Sequence, residues 1–459
     1  MNLQALILAA GAGTRMKSKL PKVLHKVCGQ SMLHHVIDVA LEAGIKERAV
    51  IVGHGAEEVK SSLDKDIKTV LQDQQLGTGH AVNMAYDILL DQGTILVLYG
   101  DAPLVREETI RDLISYHKKG NYSATVLTAD LEEPRGYGRI IRDKENKLVK
   151  IVEERDARPD ERKIREINSG LYCFDAIALR ESLPKITNEN DQKEYYLTDA
   201  LTIIADMGKA IGLYKTNDYE DIMAVNSRQQ LAQVEEIMRN RIAKKHMDQG
   251  VTIINPSHTY IEKNVEIGMD TILYPGVILR GKTRIGEDCT IGSNSRIENS
   301  IIGNKVNIHN STILDSEVGN STDIGPYAFI RPYSSIGNHV KIGDFVEVKN
   351  SVIGDHTKAS HLAYIGDAEI GQDVNIGCGV VFVNYDGRKK HKSLVKDQAF
   401  IGSNSNIIAP IVIEESAYVA CGSTITRNVA AGALAVGRSR QENKEGWAKR
   451  KGLLNKREE

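Results

Sequence analysis

The sequence predicts an α/β domain followed, across a connecting helix, by an all-β parallel β-helix. Three observations carry this. The first half alternates short apolar strands with helical stretches. The second half repeats an aliphatic residue every six positions. One uninterrupted helical pattern lies between them. At 459 residues the chain exceeds what a single hydrophobic core usually holds, so two or more domains are expected on length alone.

In the first half, Ala5–Ala10 reads as a strand and Ser31–Ala43 as a helix with Val36, Val39 and Ala40 on one face. Arg48–Gly53, Thr69–Gln72 and Thr94–Tyr99 read as further strands. Strands alternating with helices imply parallel βαβ units and a doubly wound sheet, whose ligands bind beyond the carboxyl ends of the strands. The glycine turn after Ala10 and the pair Gly100-Asp101 both fall at such ends. Residues 1–226 form this first domain. Ser227 followed by Gln230 is a capping-box pattern, Leu231, Val234, Met238 and Ile242 recur at helical spacing, and Gly250 closes the segment. Residues 227–250 therefore read as a connecting helix.

From residue 251 to 437 the period is six. Leu or Ile stands at 267, 273, 279, 285, 291 and 297. After slips of five the pattern resumes at 324, 330, 336, 342 and 348 (a Val), and again at 401, 407, 413, 419 (a Val) and 425. A six-residue repeat with one inward aliphatic is the mark of a β-helix, in which stacked coils bury a continuous core. The repeat breaks between Phe382 and Ile401, where VNYDGRKKHKSLVKDQAF reads as an inserted loop. Such insertions fall on one face, often the binding face. A basic tail, 438–459, ends the chain; together with the connecting helix it is a candidate to cover the ends of the solenoid.

Composition excludes several function classes. A formal net charge of -2 and only 5% aromatics give no electrostatic or stacking footprint for nucleic acid. The first apolar run is too short and unflanked for a signal peptide, and no run of about 18 apolar residues exists, so no membrane insertion is expected. The cysteines, Cys28, Cys173, Cys289, Cys378 and Cys421, are scattered and form no C-x-x-C pair, as in a chain with reduced thiols and neither zinc site nor disulfide frame.

The turn LAAGAGTRM nearly fits the dinucleotide fingerprint G-x-G-x-x-G. Gly11 and Gly13 fit, but Met16 stands where the third glycine would allow close packing of helix on strand. This counts against NAD or FAD and leaves another phosphate cradle or a plain tight turn. The wider pattern decides. LAAGAGTRM with KLPKVL, then QLGTGHA, LYGDAPL, GYGRI, IVEE, EINSGLY and an Asn closing the domain resemble the sugar-phosphate nucleotidyltransferases. The second half, with EVKNS, SHLAYIGD, NIGCG, VNYDG and KEGW, narrows this. The whole chain is similar to the bacterial bifunctional N-acetylglucosamine-1-phosphate uridyltransferase/glucosamine-1-phosphate N-acetyltransferases, with the motifs in order along essentially its full length.

The resemblance implies a Rossmann-like nucleotidyltransferase domain and a left-handed hexapeptide β-helix that forms a cytoplasmic homotrimer. It implies acetylation of glucosamine 1-phosphate by acetyl-CoA, then uridylation of N-acetylglucosamine 1-phosphate by UTP with Mg²⁺, for cell-wall precursors. At the first site it places the nucleotide against Leu8, Ala9, Ala10, Gly11, Gln72, Gly77 and Thr78, and the sugar against Gly138, Glu153 and Asn168. Tyr99 and Gly100 stand beside the metal ligands Asp101 and Asn226. Nucleotidyl transfer crowds negative oxygens at one phosphorus. Backbone N–H groups of the glycine loop, cations such as Arg15 and Lys22, and sparse carboxylate ligation of Mg²⁺ suit that chemistry. At the second site it makes His361 the general base. Arg331 and Lys349 take the sugar phosphate, Tyr364 and Asn375 contact the sugar, and Asn384 and Tyr385 line the pocket. Asn384, Tyr385, Cys378, Ser403, Cys421 and Arg438 lie on the acetyl-CoA side. Residues 378 and 421 are cysteines where the resemblance expects alanine. Two other readings give different expectations. A nucleotidyltransferase with a purely structural β-helix would lack the His361 and Lys349 constellation. A non-catalytic scaffold would lack Asp101, Lys22 or His361.

Overall fold

The computed structural model describes residues 2–453; residues 454–459, the end of the basic tail, lie outside the described residues. Contacts divide the chain into two compact units, Met1–Arg241 and Ile242–Glu459, and the division falls inside a helix, Arg228–Asp248.

The first unit is built on a nine-stranded sheet. Its central strand, β1 (Leu3–Ala9), is buried from Gln4 onward. A strand covered on both faces has no reason to alternate polar with apolar, and LQALILA does not. Strands β2 (Glu47–Val52), β3 (Lys68–Leu71) and β4 (Thr94–Tyr99) join it in parallel in the order β4-β1-β2-β3. Ile7, Val50 and Leu98 pack on one face with Val36 and Leu113 of the helices Met32–Glu42 and Glu107–Lys119. Leu6, Ile51 and Val97 pack on the other with Val82 and Leu201 of the helices Thr78–Met84 and Leu197–Asp206. The Met32–Glu42 helix starts where Ser31 Oγ accepts the His34 N–H.

The rest of the sheet is mixed rather than parallel throughout. After β5 (Ala124–Asp130) comes a hairpin of β6 (Gly138–Arg142) and β7 (Leu148–Val152). Only then does β8 (Glu166–Asp175) enter, between β4 and β5 and antiparallel to both. A strand that follows a hairpin needs no crossover helix, so its direction can reverse. The last strand, β9 (Ile211–Lys215), lies parallel to β5 at the edge.

The second unit is a three-sided parallel β-helix with sheets of eleven, ten and nine strands. Ile291 pairs with Ile308, Ile308 with Ile324 and Ile324 with Ile342, so identical inward side chains stack coil on coil. Every aliphatic assigned above to the six-residue period is buried except Ile267, which is half-exposed. The register slips run through Ile302, Ile313, Val318, Ile353 and Ile370, also buried. Corners between sheets sit in the left-handed region. Asn294, Asn299, Asn310, Asp315, Asn350 and Asp367 take φ of 38–59°, which explains why Asn and Asp recur there.

The inserted loop is shorter than the sequence suggested. Ser393–Val395 pairs in register with Ala368–Ile370, and Val395 is buried in the column six residues before Ile401. The excursion therefore ends near Lys392. Among the described residues no helix is long and apolar enough to cross a membrane.

Candidate active sites

In the first unit a cleft of about 430 Å³ opens at the carboxyl ends of β1 and β4. It is lined by Leu8, Ala9, Ala10, Gly11, Lys22, Gln72, Gly77, Thr78, Tyr99, Asp101, Gly138, Glu153, Asn168 and Asn226, all named from the sequence. Two other candidates do not line it. Gly100 is buried behind the wall, donating its N–H to Leu8 O at 3.0 Å. Arg15 is exposed on the turn Thr14–Met16.

Local structure explains these placements. Leu8 and Tyr99 are register partners across β1 and β4, so both strands end at the same edge. Gln72 is buried, with Nε2 donating to Gly77 O at 3.1 Å and lying 3.0 Å from His80 Nδ1. Gly77 has φ of 110°, and a Cβ there would lie 2.5 Å from Tyr195 O, so neither the conformation nor the space admits a side chain. Thr78 Oγ1 accepts the Leu197 N–H at 3.0 Å, tying this loop to the next helix.

At the centre, Lys22 Nζ is hydrogen-bonded to Asp101 Oδ2 and donates to Asn226 Oδ1 at 3.1 Å. Asp101 Oδ1 is buried and has no hydrogen-bond partner. A buried carboxylate oxygen lacking a donor, beside an amide oxygen, fits a hard divalent cation that keeps most of its waters. No group of three His, Cys, Asp or Glu among the described residues forms a denser metal cage.

At the far wall, burial pushes the Glu153 carboxyl up, helped by the negative charges of Asp156, Asp199 and Glu194. Asn168 is committed at both ends of its amide: Nδ2 donates to Tyr172 OH at 2.7 Å and Oδ1 accepts the Gly170 N–H at 3.1 Å. It lies where the pairing of β8 with β5 shifts register, the kind of irregularity that re-aims a side chain. Sequence reasoning missed Tyr137, Ser169 and Gly170, which also line the cleft beside the motif residues Gly138 and Asn168. It also missed Glu194, which follows a polar stretch that carries no signal.

In the second unit the candidates fall into two columns. At one corner, Leu362 N–H donates to Asp344 O, Gly379 N–H to Leu362 O, Asn404 N–H to Cys378 O and Gly422 N–H to Ser403 O, at 2.7–2.8 Å. His361, Cys378, Ser403 and Cys421 therefore stand on successive coils. Arg438 joins them, with Cδ 3.9 Å from the position of a Cβ on Gly422. Cys378 and Cys421 are exposed thiols. His361 Nδ1 lies 2.6 Å from Asp344 Oδ1, one coil below. That hydrogen bond holds the Asp344 carboxyl below its usual range. An ionised carboxylate only accepts, so Nδ1 carries a proton, and in the neutral imidazole this tautomer places the lone pair on Nε2.

The second column centres on Asp367. Lys349 Nζ donates to both its oxygens at 2.9 and 3.0 Å, Asn350 Nδ2 to Oδ1 at 2.6 Å and Asn384 Nδ2 to Oδ2 at 2.5 Å. Burial pushes this carboxyl up, but the three donors outweigh it and hold it low. Asn384 also lies 3.4 Å from Tyr364 OH. Gly366 allows this approach: a Cβ there would meet Tyr364 OH at 2.5 Å and Asn384 Nδ2 at 2.7 Å. Arg331 pairs with Glu347 at 2.7 Å. Tyr385 is exposed in the inserted loop, its hydroxyl donating to Gly387 O at 2.8 Å. Asn375 pairs between Lys358 and Phe400, in the sheet that carries His361 rather than beside Tyr364. Asp344, Glu347 and Asp367 escaped the sequence reading. Stepping one coil back from His361 would have found Asp344.

The profile of the MobA-like NTP transferase domain matches residues 5–195, and that of the bacterial transferase hexapeptide (six repeats) matches residues 258–299. The bifunctional protein GlmU of Alkaliphilus metalliredigens is 66% identical over 453 residues, covering 99% of both chains. That of Alkaliphilus oremlandii is 68% identical over 456 residues, covering 99% of this chain and all of its own. That of Clostridioides difficile is 58% identical over 451 residues, covering 98% of each. The chain belongs to the GlmU family. The transferase match of this GlmU-family chain spans most of the cleft wall, from Leu8 to Asn168. Its hexapeptide match opens a β-helix that continues through His361, and parallel sheets with this repeat are consistent with the left-handed form.

Proposed function

We infer that this chain makes UDP-N-acetylglucosamine in two steps, with the acetyl step in the second unit and the uridyl step in the first. The reading is carried by one coexistence: a cleft centred on Lys22, Asp101 and Asn226, and a His361–Asp344 pair flanked by a column that carries Arg331 and Lys349, each paired with a carboxylate.

For acetyl transfer, Arg331 and Lys349 bind the phosphate of glucosamine 1-phosphate, and Tyr364, Asn375, Asn384 and Tyr385 shape the sugar pocket. His361 Nε2 takes a proton from the amine as its nitrogen attacks the thioester carbon of acetyl-CoA. Asp344 keeps the required tautomer and stabilises the imidazolium that forms. The C–S bond breaks, the amide C–N bond remains, and the thiolate leaves as CoA after taking the proton. Cys378, Ser403, Cys421 and Arg438 border the acetyl-CoA path. The family resemblance implies that three copies assemble in the cytoplasm, and the exposed His361 and Tyr385 are open to a neighbouring copy.

For uridyl transfer, Leu8, Ala9, Ala10 and Gly11 pass beneath the nucleotide, while Gln72, Gly77 and Thr78 meet the base. Glu153, Asn168 and Gly138 receive the N-acetylated sugar. Asp101 and Asn226 would hold Mg²⁺, which when bound would neutralise phosphate oxygens at the reacting phosphorus. Lys22, paired with Asp101, and Arg15, on the exposed turn Thr14–Met16 beside the glycine loop, add positive charge for the departing pyrophosphate.

The test is an order-of-addition assay. Acetyl-CoA and glucosamine 1-phosphate without UTP release CoA, followed with a thiol reagent against the Cys378 and Cys421 background. UTP and Mg²⁺ then release pyrophosphate. CoA release no greater than that of His361→Ala overturns the bifunctional reading. Running the second step with four nucleoside triphosphates measures the preference for uridine.

A further inference from the structure

The pattern Ser227-x-x-Gln230 does more than start a helix. Ser227 Oγ accepts the Gln230 N–H at 3.2 Å, one half of a capping box. The other half is displaced by one residue: Gln230 Oε1 accepts the N–H of Asn226, at 2.8 Å, instead of the cap's own N–H. On the other side, the Val225 N–H donates to the Asp101 carbonyl at 2.9 Å. Asn226 is thus held from both flanks while its Oδ1 faces the Lys22–Asp101 pair. The same helix grips two more loops of this unit. Arg228 Nε donates to Met16 O at 3.2 Å, and Glu235 Oε2 accepts the Cys28 N–H at 2.8 Å.

We propose that Gln230 is a positioning residue for nucleotidyl transfer, fixing the Asn226 backbone so that the Asn226 amide oxygen and Asp101 converge on the metal. The proposal rests on the reading of Asp101 and Asn226 as the metal-holding pair. Asn226 has a short side chain, so a rotation of its backbone moves Oδ1 directly out of reach of a cation that accepts little distortion. Groups that orient metal ligands without touching the metal commonly change metal affinity by about tenfold or more. Gln230 supplies an acceptor only, so glutamate at this position can do the same work and a side chain without an acceptor cannot.

The experiment uses the full-length protein with Mn²⁺ alone, read by the loss of the free-ion EPR signal, and the Mg²⁺ dependence of pyrophosphate release. Gln230→Ala is expected to weaken Mn²⁺ binding and raise the half-saturating Mg²⁺ concentration about tenfold, with kcat at saturating Mg²⁺ changed less than threefold. Gln230→Glu is expected to stay within about twofold of wild type, and CoA release by each variant to match wild type. If Gln230→Ala does not fold, Gln230→Met, which keeps the volume and lacks the acceptor, carries the same expectation. Mn²⁺ binding by the acceptor-less variant within twofold of wild type overturns the proposal, as does an equal loss in Gln230→Glu. Asn226→Ala separates the two layers: unchanged Mn²⁺ binding there overturns the metal reading itself, whereas a loss there with none in Gln230→Ala overturns only the role of Gln230.

Discussion

The cleft of the first unit and the columns of the second reach ionisable groups by opposite means. In the cleft, residues from 8 to 226 converge on one concavity. Burial is the leading cause of the raised Glu153 and Tyr99 values. In the β-helix the His361 side chain is 62% exposed, and the Asp344 shift comes first from a single hydrogen bond. A solenoid coil touches only its neighbours, so a side chain there finds its partner in its own coil or one coil away. An aperiodic sheet can surround a group; a β-helix can only stack against it. The lesson is that an enclosed site tunes by desolvation, while a stacked site tunes by pairing.

Substitutions test this contrast. The largest effect is expected from Asp101→Ala. Pyrophosphate release should fall on the order of a thousandfold, with CoA release unchanged; loss of both in parallel would end the picture of two independent sites. His361→Ala should show the mirror result, with CoA release reduced about a hundredfold or more and pyrophosphate release intact. Asp344→Asn should cost roughly tenfold in CoA release, because Asn can present its amide N–H₂ to Nδ1 and favour the wrong tautomer.

A pH test addresses pairing directly. The Asp367 carboxyl is held low by Lys349, Asn350 and Asn384. A depressed carboxylate contributes stability that is complete above its unfolded value, about 3.9, and is lost as pH falls through the lower folded value. Melting by circular dichroism should therefore show wild type losing more stability than Asp367→Asn on acidification below about pH 4. Glu153 carries the opposite sign. A raised folded value costs stability once the unfolded carboxyl ionises, so Glu153→Gln should melt slightly higher at neutral pH while weakening the sugar's KM for pyrophosphate release. A lower melting temperature for Glu153→Gln would show that desolvation does not govern that wall.

Much of this was legible in the sequence because the signals were periodic or punctuated. The aliphatic column at every sixth residue announced the coils, and Gly11, Gly100 and Asp101 marked strand ends. The antiparallel entry of β8 was not legible, since a strand's direction depends on what it pairs with after folding. The re-entry at Ser393 was hidden because a polar loop masked the buried Val395, although its place six residues before Ile401 kept the period. Arg15 illustrates a different gap. Its charge and its place beside the glycine loop are evident from the motif, but nothing in the motif says that its side chain lies in solvent and off the cleft wall. Asp344 and Asp367 belong to pairs separated by a whole coil, and such pairs emerge only once the coil length is known.

The loop that leaves after Val383 and rejoins at Ser393 bears on how such a protein can diversify. The chain re-enters opposite Ala368 as though no detour had occurred, and the inward stack beneath is undisturbed. Asn384 and Tyr385 ride on that detour, so a new recognition surface can be grafted there while the prism itself is inherited intact. The first unit offers no such seam. Lys22, Asp101 and Asn226 knit together three remote stretches of chain, and exchanging any one stretch obliges the other two to change with it.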